Sequence, residues 1–213
     1  MDLFRISLDP TVQEIMTRIE DFCSNTTSHG DDYDFLSDIC EVNRNGETKT
    51  VFLHDGWDFV IKVPNYYSYA RHNYCQLEAD NYKKACAYRV ERVLLETALL
   101  CTLKNGIQLY VQPRYTIDNN DYMDSPIHRH RLQKKCNTYR KPIVSRVAGE
   151  MYDGYRLNNL WLSRVIQLYG KRFMRSLEKW TQENRIGDLH DCNVGWVNNK
   201  PIILDYSGYF GHY

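Results

Sequence analysis

Carboxylate and amide side chains are concentrated near the end of the chain, in the segment RIGDLHDCNVGWVNNKPIILDYSG. Asp188 and Asn193 lie five residues apart after a predicted helix, and Asp205 follows the apolar run PIIL twelve residues later. A hairpin formed by VGWV and PIIL would bring these three side chains to one edge of the fold. Their oxygens are the ligands that Mg²⁺ prefers, and protein-bound Mg²⁺ commonly shares its coordination with nucleotide phosphates. The segment therefore predicts a magnesium site.

A lysine and a glutamate earlier in the chain have the chemistry to complete such a site. Lys62 lies at the end of the apolar run FVIK, which predicts a strand, and Glu78 lies in the helix predicted next. In phosphoryl transfer, a lysine paired with a glutamate holds the phosphates while one carboxylate orients the attacking hydroxyl. Because a strand and a helix are rigid, we expect them to hold Lys62 and Glu78 in contact.

The predicted elements change in character once along the chain. The first half is predicted to form strands over 34–42, 48–54, 57–64, 96–103 and 107–115, with one helix over 73–90. Asn45-Gly46 and Lys104-Asn105-Gly106 are hairpin turn signals within this half. Two helical stretches then run from Leu157 to about Asn184 and meet at Gly170. The basic segment 127–142 between the halves is either loop or short helix.

Composition limits the classes of function. The chain has 27 basic and 27 acidic residues, so it has no net field that would recruit nucleic acid or an anionic membrane. Its seven cysteines include no C-x-x-C pair, which favours free thiols in a reducing compartment over a disulfide framework. Neither a signal-peptide pattern nor an apolar run of about 18 residues is present. We therefore expect a soluble, cytoplasmic protein without membrane partners, in the host cytoplasm if it is viral or an effector.

Together, these motifs resemble the protein-kinase-like fold. FVIK resembles the third-strand lysine motif, GDLHDCN resembles the catalytic loop, and LDYS stands where kinases have an aspartate-phenylalanine-glycine triplet. The D-x-H-x-x-N form of the loop is closer to that of aminoglycoside and choline phosphotransferases and of small bacteriophage kinase-like proteins. The resemblance covers about Asp34 to Ser207.

The resemblance implies an α+β fold of two lobes. Residues 1–113 would form an N-lobe, with an antiparallel sheet and one helix, that binds nucleotide in a cleft near Gln112. Residues 114–213 would form a mainly helical C-lobe with the catalytic loop and metal site. Since the sequence ends eight residues after Asp205, this C-lobe is expected to be minimal and to lack an activation segment.

The resemblance also implies roles for individual residues in an ATP- and Mg²⁺-dependent phosphotransferase. Asp188 would be the catalytic residue that orients the acceptor, a protein Ser or Thr hydroxyl. Lys62 and Glu78 would hold the α and β phosphates of ATP, and Asn193 and Asp205 would hold Mg²⁺.

One departure from the kinase pattern concerns the loop that lies over the nucleotide phosphates. Where kinases have a glycine-rich loop, the first hairpin offers only Gly46, flanked by Arg44, Asn45 and Lys49. Side chains would then replace backbone amides over the phosphates.

Other interpretations stay open. Lys62 taken alone is compatible with a water-facing lysine, and Asp188 and Asn193 with turn residues. The alternative function is a catalytically weak kinase-like binding module or inhibitor, whether or not of viral origin, that binds a host protein through the basic segment 127–142 or the lobe surface. A nucleic-acid binder ranks third.

Overall fold

The architecture is α+β, with helices and a five-stranded antiparallel sheet in the order β1-β2-β3-β5-β4, and a separate β6-β7 hairpin. The computed structural model describes residues 1–25, 33–44, 48–65, 72–115, 159–186, 189 and 193–208. The helices are α1 (Leu3–Ser7), α2 (Pro10–Asn25), α3 (Tyr74–Tyr88) and α4 (Asn159–Glu183), with 3₁₀ turns at Asp34–Leu36 and Glu91–Val93. The strands are β1 (Glu41–Asn43), β2 (Lys49–Leu53), β3 (Phe59–Pro64), β4 (Ala98–Thr102), β5 (Gln108–Pro113), β6 (Val194–Val197) and β7 (Lys200–Ile203).

The chain divides into two compact units. The first comprises the described residues of Met1–Ala79 and of Glu96–Tyr115, and the second comprises Asp80–Leu95 and the described residues of Thr116–Tyr213. The division falls within α3, because Ala85 in its second half belongs to the apolar core of the second unit. The sequence-based boundary at residue 113 assigned the whole of this helix to the first lobe.

The five-stranded sheet has one apolar and one polar face. The apolar face packs against α2, whose Val12, Ile15 and Ile19 recur at helical spacing and are completely buried. The sheet contributes alternate residues to this layer, including Phe52, Phe59, Ile61, Val63, Leu109 and Val111. Because side chains alternate along a strand, the residues between them lie on the opposite face.

The polar face carries the residues of chemical interest. Strand pairing places Lys62 opposite Val51 on β2 and Tyr110 on β5, so these residues share a face. Lys49 and Gln112 lie on this same face by alternation along β2 and β5. The sheet register therefore gathers two lysines and an amide on one side of the first unit.

The structure differs from the sequence-based elements at the N-terminal end. Of the predicted strand 34–42, only residues 41 and 42 are extended, as the start of β1, and Asp34–Leu36 forms a 3₁₀ turn. In that turn the amide of Leu36 donates to the carbonyl of Tyr33, and both side chains are buried. Residues three apart lie on the same side of a 3₁₀ turn, so the side chains of Tyr33 and Leu36 can be buried together. On a strand, residues three apart point to opposite faces.

The predicted junction at Gly170 is confirmed. Gly170 has φ 84° and ψ 169°, which is not helical and is accessible to glycine at little cost. On either side of it, Trp161, Val165, Leu177 and Trp180 are buried in the core of the second unit. None of the helices in the described residues is long and apolar enough to cross a membrane.

Burial predicts which cysteines react. Burial, helped by the nearby charge of Asp38, raises the pKa of the Cys40 thiol to about 11, whereas Cys86 is exposed. Since the thiolate is the nucleophile, a rise of that size lowers reactivity at pH 8 by roughly 100-fold. We expect iodoacetamide to alkylate Cys86 in the native protein, and Cys40 and the buried Cys75 only after unfolding, as measured by peptide mass mapping. Equal rates at Cys40 and Cys86 would contradict this packing.

Candidate functional site

A buried carboxylate in α3 is the centre of a polar cluster in the first unit. Glu78 is 0% exposed, and its Oε1 accepts hydrogen bonds from Lys62 Nζ at 2.9 Å, Gln112 Nε2 at 2.9 Å and Thr97 Oγ1 at 3.0 Å. Its Oε2 accepts from Lys49 Nζ at 2.8 Å. Gln112 Nε2 also lies 3.1 Å from Thr97 Oγ1, which ties the neutral donors to each other. The structure thus brings Lys62 and Glu78 together and adds three partners.

Adjacent secondary-structure elements hold this cluster. Lys49 begins β2, Lys62 lies on the neighbouring β3, and Gln112 lies on β5 at the other side of β3. Helix α3 packs on the sheet through Cys75 and Ala79, which form a small buried cluster with Tyr110 of β5. Cys75 and Ala79 are one helical turn apart, so the turn that carries Glu78 is fixed against the sheet.

The electrostatics follow from burial. The side chains of Lys49 and Lys62 are 5% and 6% exposed, so both ammonium groups have lost most of their hydration. Buried charges are tolerated when they are paired and hydrogen-bonded, and Glu78 supplies that pairing. An ammonium has three N–H donors, and Glu78 is the single acceptor of Lys62 among the described residues. Two N–H donors of Lys62 therefore have no acceptor among the described residues.

The β6-β7 hairpin positions the predicted metal ligands of the second unit. Asn198 and Asn199 form its turn with φ of 50° and 59°, as two-residue hairpins require, and asparagine tolerates that conformation. Beyond the last pair of the ladder, the carbonyl of Asn193 accepts from the amides of Leu204 at 2.8 Å and Asp205 at 3.4 Å. Asn193 and Asp205 are thus neighbours at the open end of the hairpin.

Local hydrogen bonds fix the turn that contains Asp205. Its Oδ1 accepts from the amide of Ser207 at 3.1 Å and from its hydroxyl at 2.8 Å. Tyr206 is buried, its carbonyl accepts from Asn81 Nδ2 at 3.0 Å, and its hydroxyl donates to the carbonyl of Leu95. Asp205 is therefore attached on one side to the hairpin and on the other to a buried tyrosine.

Gly208 ends this turn in close contact with the chain that follows α4. Its φ is 83°, and a Cβ atom there would lie 2.9 Å from the carbonyl oxygen of Arg185. Both the conformation and the clearance require glycine. The Asp205 turn consequently packs directly against Arg185 and Ile186, which follow α4.

The donor set of Asn193 and Asp205 fits magnesium chemistry. An amide and a carboxylate oxygen are hard donors, and Mg²⁺ is commonly bound by one or two carboxylates with waters and phosphates completing the shell. Asp188 and the basic segment 127–142 lie outside the described residues. Within the part of the chain that is described, no group of three or more His, Cys, Asp or Glu side chains is placed to hold a metal ion.

Sequence reasoning missed three members of the Glu78 cluster. Lys49 was expected to lie over the phosphates, and its contact with Glu78 from the first residue of β2 was not foreseen. Thr97 and Gln112 were not assigned contacts, because no residue type or spacing indicates a hydrogen bond that depends on the register of three strands. Arg44 was also expected to lie over the phosphates, and it pairs with Asp34. Asn45 and Gly46, which belong to the same expectation, lie outside the described residues.

Replacing Glu78 tests how far the fold depends on it. Glu78→Gln keeps the side-chain shape but leaves two buried ammonium groups without this counter-ion, and loss of one partner of a buried ion pair costs roughly 3–5 kcal/mol. We expect urea denaturation to show a loss of stability of that order. The matched control is Asp58→Asn, which removes the exposed ion pair with Arg5 and should hardly move the midpoint. Equal midpoints for the two variants would contradict the central role of Glu78.

Comparison with known proteins supplies no relative from which to argue. No protein-family model matches the chain, and no curated protein and no solved structure matches it. The chemistry and geometry of the described residues therefore carry the functional argument.

Proposed function

We propose that the chain is an ATP- and Mg²⁺-dependent phosphotransferase of the protein-kinase-like superfamily, with a protein Ser or Thr hydroxyl as acceptor. The observation that carries the proposal is the buried ion pair between Lys62 of β3 and Glu78 of α3, with Nζ and Oε1 2.9 Å apart. A lysine on a strand paired with a glutamate on the next helix is the arrangement that holds nucleotide phosphates in kinases. The antiparallel sheet with one helix on its polar face supports the same assignment for the first unit.

Lys62 serves as the phosphate ligand in this mechanism. Glu78 accepts one of its N–H groups, and the other two are directed to oxygens of the α and β phosphates. Thr97 and Gln112 donate to the same oxygen of Glu78, so they fix the carboxylate that orients the lysine. Positioning of this kind is the main contribution of the protein to phosphoryl transfer.

Asn193 and Asp205 would hold Mg²⁺, which would neutralise negative charge on the phosphates when bound. Asp188 orients the acceptor hydroxyl and accepts its proton as the oxygen bonds to the γ-phosphorus. The bond from that phosphorus to the β–γ bridging oxygen breaks, and ADP leaves with the electron pair. The buried Tyr206 and the Ser207 hydrogen bonds keep Asp205 in place during this step.

Nucleotide binding is the first test. A ligand that binds only the native state stabilises it by about 2.7 kcal/mol at a hundredfold excess over Kd. We expect ATP with Mg²⁺ to raise the Tm measured by differential scanning fluorimetry, EDTA to remove most of the rise, and Asp205→Asn to abolish the Mg²⁺-dependent part. Asp58→Asn, which removes an exposed carboxylate, should respond like wild type. Absence of a shift at millimolar nucleotide would favour the binding-module alternative.

Turnover separates an enzyme from a nucleotide-binding scaffold. Asp188→Ala should retain ATP binding and lower the rate of transfer by roughly 10²–10⁴-fold, because a general base typically contributes that much. The measurement is transfer of radiolabelled γ-phosphate from ATP to protein in a lysate from which ATP has been removed. If wild type and Asp188→Ala transfer label equally, the proposed role of Asp188 is wrong.

A further inference from the structure

Lys49 and Lys62 place their ammonium groups on the two oxygens of one carboxylate. Lys49 Nζ lies 2.8 Å from Glu78 Oε2, and Lys62 Nζ lies 2.9 Å from Oε1. The lysines lie on neighbouring strands and on the same face of the sheet. An anion that reaches the remaining N–H donors of Lys62 therefore comes close to Lys49 as well.

Burying a second lysine lowers the stability of the fold, which is hard to explain if the role of that lysine is only structural. Glu78 is contacted by the ammonium groups of both lysines. Removing a charge from water costs several kcal/mol even when it is paired, and an apolar residue in its place often gives equal or greater stability. Val51 and Val60 on the same face of the sheet show that apolar side chains are accommodated there.

We propose that Lys49 is a second phosphate ligand, so that two lysines from neighbouring strands hold a di- or triphosphate chain. The identification of that chain as part of a nucleotide rests on the proposed function. A lysine binds phosphate as a point charge with three donors, and successive phosphates carry the negative charges that two such groups can share. The second lysine also supplies positive charge near the β1–β2 hairpin, which has one glycine where kinases have a glycine-rich loop.

The test is a calorimetric titration of the full chain with ATP and Mg²⁺, with inorganic tripolyphosphate and with adenosine. The variants are Lys49→Gln and Lys62→Gln, in which an amide can still donate to Glu78. The control is Lys104→Gln, because the Lys104 side chain is 90% exposed and forms a surface ion pair with Glu20.

Loss of one charge-assisted contact should weaken binding by roughly 10- to 100-fold. We expect Lys49→Gln and Lys62→Gln each to lose affinity for ATP and tripolyphosphate by that factor and to keep their affinity for adenosine. Lys104→Gln should match wild type for all three ligands. A structural role for Lys49 predicts instead a lower Tm with unchanged affinity for ATP.

The outcomes separate this inference from the proposed function. If wild type binds ATP and Lys49→Gln binds it equally well, the inference is overturned and the function stands. If wild type binds tripolyphosphate but not ATP, and Lys49→Gln weakens that binding, the inference stands and the function fails. If wild type binds neither anion, both are overturned.

A second measurement on wild type covers the case in which Lys49→Gln does not fold. An adenosine analogue with a sulfonyl fluoride at the phosphate position reacts with a nearby lysine, forming a nitrogen–sulfur bond and releasing fluoride and a proton. Peptide mapping should find the adduct on both Lys49 and Lys62, with excess ATP suppressing both. Modification confined to Lys62 would overturn the inference.

Discussion

The buried charge of Glu78 is the constraint on which the organisation of the first unit depends. A carboxylate with no exposure to water is stable only if its oxygens are saturated, and here four donors come from four different segments. Strands β2, β3 and β5 must keep one register, and α3 one rotation, for all four contacts to exist together. This joint requirement makes the cluster difficult to form, and it also leaves the geometry of the cluster well defined.

In the second unit, hydrogen bonds between neutral groups fix the local geometry. Asn81 donates to the carbonyl of Tyr206 while its own carbonyl accepts from Trp180 Nε1 at 3.2 Å. These bonds hold the turn after β7 against the apolar core of the second unit, which contains Trp180 and Tyr206. Asp205 is therefore positioned by the packing of Tyr206, by backbone contacts and by its own hydrogen bonds with Ser207.

The sequence anticipates contacts that depend on element order, and it misses contacts that depend on register. Lys62 at a strand end and Glu78 in the next helix suggest a pair because a strand and the helix after it pack together. Asn198-Asn199 indicates the hairpin that joins Asn193 to Asp205, since few residues accept positive φ. Lys49 gives no such signal, because its contact with Glu78 follows from how β2 is aligned with β3.

Helices α1 and α2 were missed for another reason. Val12, Ile15 and Ile19 recur at helical spacing, but among polar residues this pattern is weak until the apolar face of the sheet is known. The kinase resemblance begins at about Asp34 and gives no expectation for the helices before it. Their burial is explained by the sheet, which needs a partner for its apolar face.

Because the two faces of the sheet differ in polarity, insertions and deletions in β3 have different effects from substitutions. Lys62 faces the polar cluster, and its neighbours Ile61 and Val63 face the apolar layer over α2. Since side chains alternate, inserting or deleting one residue in this strand would exchange the two sets and drive an ammonium into hydrocarbon. Substitutions at a single face can be absorbed locally, whereas a shift in strand alignment would disrupt both layers at once. The strand should therefore vary in side-chain identity far more readily than in length.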